Sequence, residues 1–255
     1  MVGGQLRGVI LNVEGTLIDS NEAHARAWAC ALAEYGRGLP LATMRRMIGM
    51  GADQLLPIVA DLAPETTLGA AINARRAAIF DREFLPQLRP FPGARELVAR
   101  LGRDGWRLVL TDSAAPTTLS RLLAIAGIAD QIDATAFPGD AARGKPAPDG
   151  VHAALARAGM RPEEALLLGD TPYDVEAAAR AGVGMVALRC GGWGDADLAG
   201  ALALYDDPAA LLAHYDASPL ARRHVGTFGH RQCGVRAFER TGHGGEPRED
   251  TWGLG

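Results

Sequence analysis

The chain opens on a short apolar run, Val9-Ile10-Leu11, that breaks into Asn12-Val13-Glu14-Gly15-Thr16. An unbroken apolar run that ends abruptly in polar residues and a glycine predicts a buried parallel strand running out into a loop at its carboxyl end. Four similar runs follow: Trp106 to Thr111, Ile132 to Phe137, Ala165 to Gly169 and Val183 to Leu188. Helix-compatible stretches lie between them, over Gly93 to Arg103, Pro116 to Ala126, Gly150 to Ala158 and Tyr173 to Ala181. Strand alternating with helix predicts a doubly wound α/β fold with a mostly parallel sheet. A sixth run, Ala201 to Tyr205, reads as an edge strand, and Asp207 to His214 as a last short helix.

One stretch does not alternate. From Asn21 to Leu88 there is no strand pattern, while Ala23-Ala27-Ala31, the surroundings of Met44-Met47-Ile48, and Leu68 to Phe84 carry helical spacing. This reads as an all-helical insert over the carboxyl end of the first strand, where open α/β sheets bind their ligands, and hence as a lid. The plainer alternative is helices packed on the face of the sheet. The expected organisation is a core over residues 1–20 and 89–217, a cap over 21–88, and a tail over 218–255. The tail is rich in Gly, Arg and His without apolar periodicity and is expected to be disordered. Its His230, Cys233 and His243 fit no closed zinc spacing.

Composition narrows the partners. The 255 residues carry 26 Lys and Arg against 30 Asp and Glu, a net charge of −4. No basic excess favours nucleic acid or an anionic membrane, and no apolar run approaches the ~18–20 residues of a membrane span. Met1 to Leu11 lacks the apolar stretch of a signal peptide. The three scattered cysteines, Cys30, Cys190 and Cys233, make a poor disulfide framework, which points to a reducing cytoplasm. Neither nucleic acid nor membrane is expected as a partner, and the chain reads as a monomer or homodimer.

The polar residues at the strand ends carry the chemistry. They are Asn12 to Thr16, Thr111-Asp112-Ser113, Gly144-Lys145-Pro146-Ala147-Pro148-Asp149, and Gly169-Asp170-Thr171-Pro172-Tyr173-Asp174. All converge on one rim of a parallel sheet. Lys145 supplies a point charge, and Thr111 with nearby backbone N–H groups suits phosphate oxygens. Asp170 and Asp174 are hard oxygen ligands suited to Mg2+. Together they describe a site for a phosphate and a divalent cation.

In order and spacing these segments resemble the haloacid dehalogenase superfamily, phosphatase branch, with a helical cap inserted after the first strand. The phosphoglycolate phosphatases and β-phosphoglucomutases are the nearest in kind. The resemblance spans Leu6 to Tyr215 and rests on Gly-Thr-Leu-Ile-Asp-Ser at 15–20, Gly-Lys-Pro-Ala-Pro-Asp at 144–149, and Gly-Asp-Thr-Pro-Tyr-Asp-Val at 169–175, completed by Ala177-Ala178 and Ala181-Gly182. It implies a Rossmann-like core and Mg2+-dependent hydrolysis of a small phosphorylated metabolite. The family's nucleophile is an aspartate at the end of the first strand, which forms an aspartyl-phosphate, and an aspartate two residues on is the general acid and base. Carried over, these positions are Asn12 and Glu14.

Neither is aspartate. The amide of Asn12 is a far poorer nucleophile than a carboxylate and removes one negative charge from a metal set of Asn12, Glu14, Asp170 and Asp174, so magnesium is expected to bind more weakly. Glu14 keeps acid–base capacity on a longer arm, and a displacement of ~1 Å can cost on the order of 100-fold. Asp112 puts a negative charge where the family has a small neutral residue. Thr111, Lys145, Asp170 and Asp174 are retained. Three readings follow: a phosphatase variant with its nucleophile blocked, as in a substrate trap; a pseudoenzyme that binds a phosphorylated metabolite or a regulatory partner; or catalysis by another route, through deamidation of Asn12 or attack by Asp112. A phosphomutase or a dehalogenase ranks lower.

Around this set, Gly15, Thr16, Asp112, Ser113, Lys145 and Thr111 are expected to line the substrate. His24, ten residues beyond Glu14, stands where mutase-like members carry a hinge histidine, and reads equally as a packing residue. Arg45 and Arg46 either reach down to an anionic substrate or face solvent. Asp19 and Ser20 mark the hinge or cap the next helix. Met44, Met47 and Met50 are read as core, Trp193 as shaping a loop at the rim, and the cysteines as inert.

Overall fold

The computed structural model describes residues 5–111 and 114–221. Asp112, Ser113 and the tail from 222 onward, with His230, Cys233 and His243, lie outside the described residues. Among the described residues six strands form one parallel sheet: β1 (Gly8–Leu11), β2 (Arg107–Thr111), β3 (Ala134–Ala136), β4 (Ala165–Gly169), β5 (Gly184–Leu188) and β6 (Ala203–Tyr205). Their order is β3-β2-β1-β4-β5-β6, so the direction of winding reverses between β1 and β4. Ligands of such sheets bind outside the strand ends at this reversal.

The unbroken apolar runs have a two-sided explanation. Val9, Leu11, Leu108, Leu110, Leu166, Leu168, Val186 and Leu188 enter one buried cluster. Ile10, Val109, Leu167, Met185 and Ala187 alternate into the other. The first face carries α5 (Ala94–Arg103), α6 (Pro116–Ala126) and α9 (Pro208–Ala213), and the second carries α7 (Asp149–Ala158) and α8 (Pro172–Ala181). Strands buried on both faces need no polar alternation.

The chain leaves the core at Ile18-Asp19 and returns at Arg89 to Phe91. The two passes are tied by Asp19 N donating to Arg89 O (3.0 Å) and Phe91 N donating to Leu17 O (2.9 Å). Between them lie only helices: α1 (Asn21–Glu34), α2 (Leu41–Arg45), α3 (Ala52–Ala60) and α4 (Thr67–Ile79), which runs on through a π-helical turn over Phe80–Phe84. Helix α3 leaves no clear helical pattern in the sequence because Pro57 interrupts it. Ser20 precedes α1 as expected of a cap, yet its hydroxyl accepts from Gly15 N (3.1 Å) and makes no cap bond to the helix. It pins the loop after β1.

One expected boundary is corrected. Residues 218–221, assigned to the tail, pack on the core: Leu220 is fully buried, and its carbonyl accepts from Trp106 Nε1 at 3.1 Å. The segment Ser218-Pro219-Leu220 is too short to show periodicity, so its single apolar anchor left no pattern. Leu220→Ala is expected to lower unfolding free energy by about 2–5 kcal/mol, as for other buried Leu truncations, measured by denaturant unfolding against the parent chain.

Candidate active site at the strand rim

The register fixes which residues meet. Leu11 pairs with Leu110 on one side and Leu168 on the other, so Asn12 stands level with Thr111 and Gly169. Asp170 comes one step beyond, at the reversal of winding. It is fully buried. Its Oδ1 accepts from Thr16 Oγ1 (2.6 Å) and Asn12 Nδ2 (3.1 Å), and its Oδ2 from Asn21 Nδ2 (2.9 Å). Gly15, at φ 78°, and Gly191 border this carboxylate so closely that a Cβ at either would enter its van der Waals space. Burial, and then the charge of Asp174, push the Asp170 carboxyl up to about 7.

Asn12 is 5% exposed. Its Nδ2 donates to Glu14 O (2.7 Å), Thr16 Oγ1 (3.1 Å) and Asp170 Oδ1 (3.1 Å), and its Oδ1 accepts from Lys145 Nζ (2.9 Å). Lys145 also donates to Asp174 Oδ1 (2.7 Å). The other oxygen of Asp174 accepts from Thr171 N (3.0 Å) and Thr171 Oγ1 (2.7 Å), closing a reciprocal cap at the start of α8. Thus Asn12, Thr16, Lys145, Asp170 and Asp174 meet in one bonded cluster, with Gly15 against it. Thr111, nearly buried at the end of β2, faces the first turn of α7, where a Cβ on Gly150 would lie 3.0 Å from its hydroxyl.

Glu14 turns toward the insert. Its Oε1 lies 2.5 Å from His24 Nε2 on α1, and the His24 ring stacks on Phe80 at 3.9 Å between centroids. Arg45 lies apart from this cluster: it pairs with Glu22 at 2.6 Å and is 43% exposed. Arg46 covers the Trp193 ring at 4.0 Å and pairs with Asp197 at 2.7 Å. Trp193 itself is buried, edge-on to Tyr173. Burial pushes the Cys190 thiol well above its ordinary range, which keeps it protonated and unreactive.

Three contributors escaped the sequence. Asn21 bridges Asp170 and Gly191 O (2.9 Å) from the first position of α1. Asp53 on α3 accepts from Gly144 N at 3.0 Å, tying the insert to the Lys145 loop. Arg76 lies over Trp28 (5.1 Å), and burial lowers its guanidinium pKa against the opposing charges of Glu14 and Asp81. A polar residue opening a helix after a hinge was a signal for Asn21; the other two had none.

The divalent cation that the resemblance implies can be tested against these donors. Glu14 O and Asp170 Oδ1 are oxygens a cation would take, and the N–H groups of Asn12 point at both. Among the described residues no three His, Cys, Asp or Glu side chains converge on a common point. The donor set in this arrangement does not fit a cation.

A parallel α/β core wound in this order, with a helical insert after β1 and Asp, Lys and Thr side chains on the rim, defines a class of hydrolase. A model of the haloacid dehalogenase-like hydrolases matches residues 6–182. The chain belongs to that family, in its phosphatase branch. It is similar to the phosphoglycolate phosphatase of Rhodospirillum rubrum, 32% identical over 216 residues, covering 80% of this chain and 89% of that protein. Among solved structures it resembles a hydrolase from Pseudomonas syringae, with TM-score 0.76 and 29% identity over 83% of this chain and 98% of that one. It shares its fold with a β-phosphoglucomutase from Clostridium difficile, with TM-score 0.68 and 18% identity over 84% and 96% of the two chains. No helix among the described residues is long and apolar enough to cross a membrane.

The raised Asp170 pKa has a stability consequence. An acid whose folded pKa lies above its unfolded value, here near 7 against 3.8, holds a proton in the fold that the unfolded chain has released. The native state therefore loses stability as pH rises from about 4 to 7 and not beyond. Asp170→Asn removes this titration. Its Tm relative to the parent chain is expected to climb across that window and level off above it, in thermal unfolding scans; a flat difference would contradict the shift.

Proposed function

We propose that this chain binds a small phosphate monoester at the rim beneath the helical insert and hydrolyses it slowly or not at all. The observation that carries this reading is the end of β1. Where the family carries its nucleophilic carboxylate, Asn12 holds an amide whose oxygen is engaged by Lys145. The acid–base position, Glu14, is drawn toward His24.

The roles follow from chemistry. Lys145 and Thr111, with backbone N–H groups of the rim, receive the phosphate oxygens. The insert excludes water and selects the remainder of the substrate, and its own contacts hold it to the rim. Two of these are Asp53 to Gly144 N (3.0 Å) and Tyr173 OH to Arg46 O (2.5 Å). His24 orients Glu14, and its distance from the strand end sets how far that carboxylate can serve a leaving group. The names of the curated relatives make a two-carbon phosphomonoester of the phosphoglycolate kind the first candidate substrate. The scattered cysteines favour a cytoplasmic setting.

An amide cannot form the aspartyl-phosphate. Phosphate release from an aryl phosphate and from phosphoglycolate, with Mg2+ present, is expected to be lower in this chain than in its Asn12→Asp, Glu14→Asp double variant by on the order of 10³-fold or more. Comparable turnover in the two would sink this reading, after intact mass has excluded deamidation of Asn12. Silence in both would favour a binding protein without turnover.

A further inference from the structure

We propose that the Asn12 amide stands in for a divalent cation at this rim, holding the cation's would-be ligands together and excluding metal from them. The argument is one of donors and acceptors. A carboxylate at position 12 would offer an oxygen to each side, one to the Lys145 ammonium and one to a cation shared with Asp170 and the Glu14 carbonyl. An amide has a single oxygen, and Lys145 takes it at 2.9 Å.

Lys145 is not free to yield. Its ammonium is held by Asp174 at 2.7 Å. Its loop is tied to the insert by Gly51 N donating to Lys145 O (3.0 Å) and by Gly144 N donating to Asp53 (3.0 Å). With the oxygen of Asn12 fixed on that side, its NH2 must face the other. There it meets Glu14 O at 2.7 Å and Asp170 Oδ1 at 3.1 Å. Turning the amide over to present oxygen to a metal would set its NH2 against the lysine ammonium, donor to donor. Asp170 needs no cation in the present arrangement, since Thr16, Asn12 and Asn21 already donate to both its oxygens.

The substitution therefore does more than subtract one charge. It replaces a mobile cation with a covalently attached donor that serves the same two oxygens, and it uses Lys145 to lock that donor in place. Metal occupancy is a separate quantity from turnover, so this inference stands or falls independently of the phosphatase assay.

The test uses the full chain and Mn2+ alone, with bound and free ion separated by electron paramagnetic resonance. The parent chain is expected to take up no more Mn2+ than its Asp170→Asn variant, which marks uptake elsewhere on the surface. Asn12→Asp is expected to bind at least about tenfold tighter than the parent. Should Asn12→Asp fail to fold by circular dichroism, Lys145→Met serves instead: with the lysine gone the amide can turn, and Mn2+ uptake should rise above the parent's. Parent binding as tight as Asn12→Asp and lost in Asp170→Asn would overturn the proposal. So would the absence of any gain in Asn12→Asp, or in Lys145→Met where that variant replaces it.

Discussion

The carboxylate of Asp170 has no access to solvent. A buried carboxyl group is tolerated only where its oxygens find hydrogen-bond partners, and this requirement organises the whole rim. The donors come from three places: Asn12 at the end of β1, Thr16 in the loop after it, and Asn21 at the start of α1. Gly15 and Gly191 leave room for the carboxylate, because neither brings a Cβ into its space. Because Asn21 belongs to the insert, the same carboxylate that closes the core also docks the insert's first helix. Fold and site are therefore one bonding problem, and no residue of the set can change without reassigning a partner.

Asp174, one helical turn along, meets the same requirement differently. One oxygen caps α8 through Thr171, and the other holds Lys145. The motif Gly-Asp-Thr-Pro-Tyr-Asp thus yields one aspartate matched by neutral donors and one matched by a cation. The contrast gives Asn12 its weight. It lies between the two aspartates, accepts from the lysine of one and donates to the carboxylate of the other. An aspartate in its place would leave the Asp170 side facing a second negative charge.

Much of this was readable beforehand, for definite reasons. The four central strands announced themselves because burial on both faces removes polar alternation, and the rim residues because parallel strands deliver their carboxyl ends to one side. Helix Pro116–Ala126 matched its expected bounds because Pro at its first position and Gly127 after its last are strong stops. The misses have two causes. Helix α3 contains a proline that breaks its local pattern. Leu220 is a lone apolar anchor, and Asp53 reaches Gly144 across 91 residues of chain, so both depend on a tertiary contact with no local periodicity behind it. The Glu14–His24 pair was half visible: the resemblance singled out the histidine, while its partner follows from α1 lying over the loop.

That pair also shows how the two departures at the end of β1 fit together. Lengthening the side chain at position 14 carries its carboxylate toward α1, where His24, stacked on Phe80, meets it at 2.5 Å. The backbone carbonyl of the same residue is meanwhile held by Asn12 Nδ2 at 2.7 Å. Position 14 is thus fastened twice, by its main chain to the core and by its side chain to the insert. A general acid must be able to present its proton to a leaving group, and a nucleophile must present a lone pair to phosphorus. Here the lone pair at position 12 faces Lys145, and the carboxylate at position 14 faces His24. The changed residues satisfy one another and the insert, so the two departures at the end of β1 belong to one bonded arrangement.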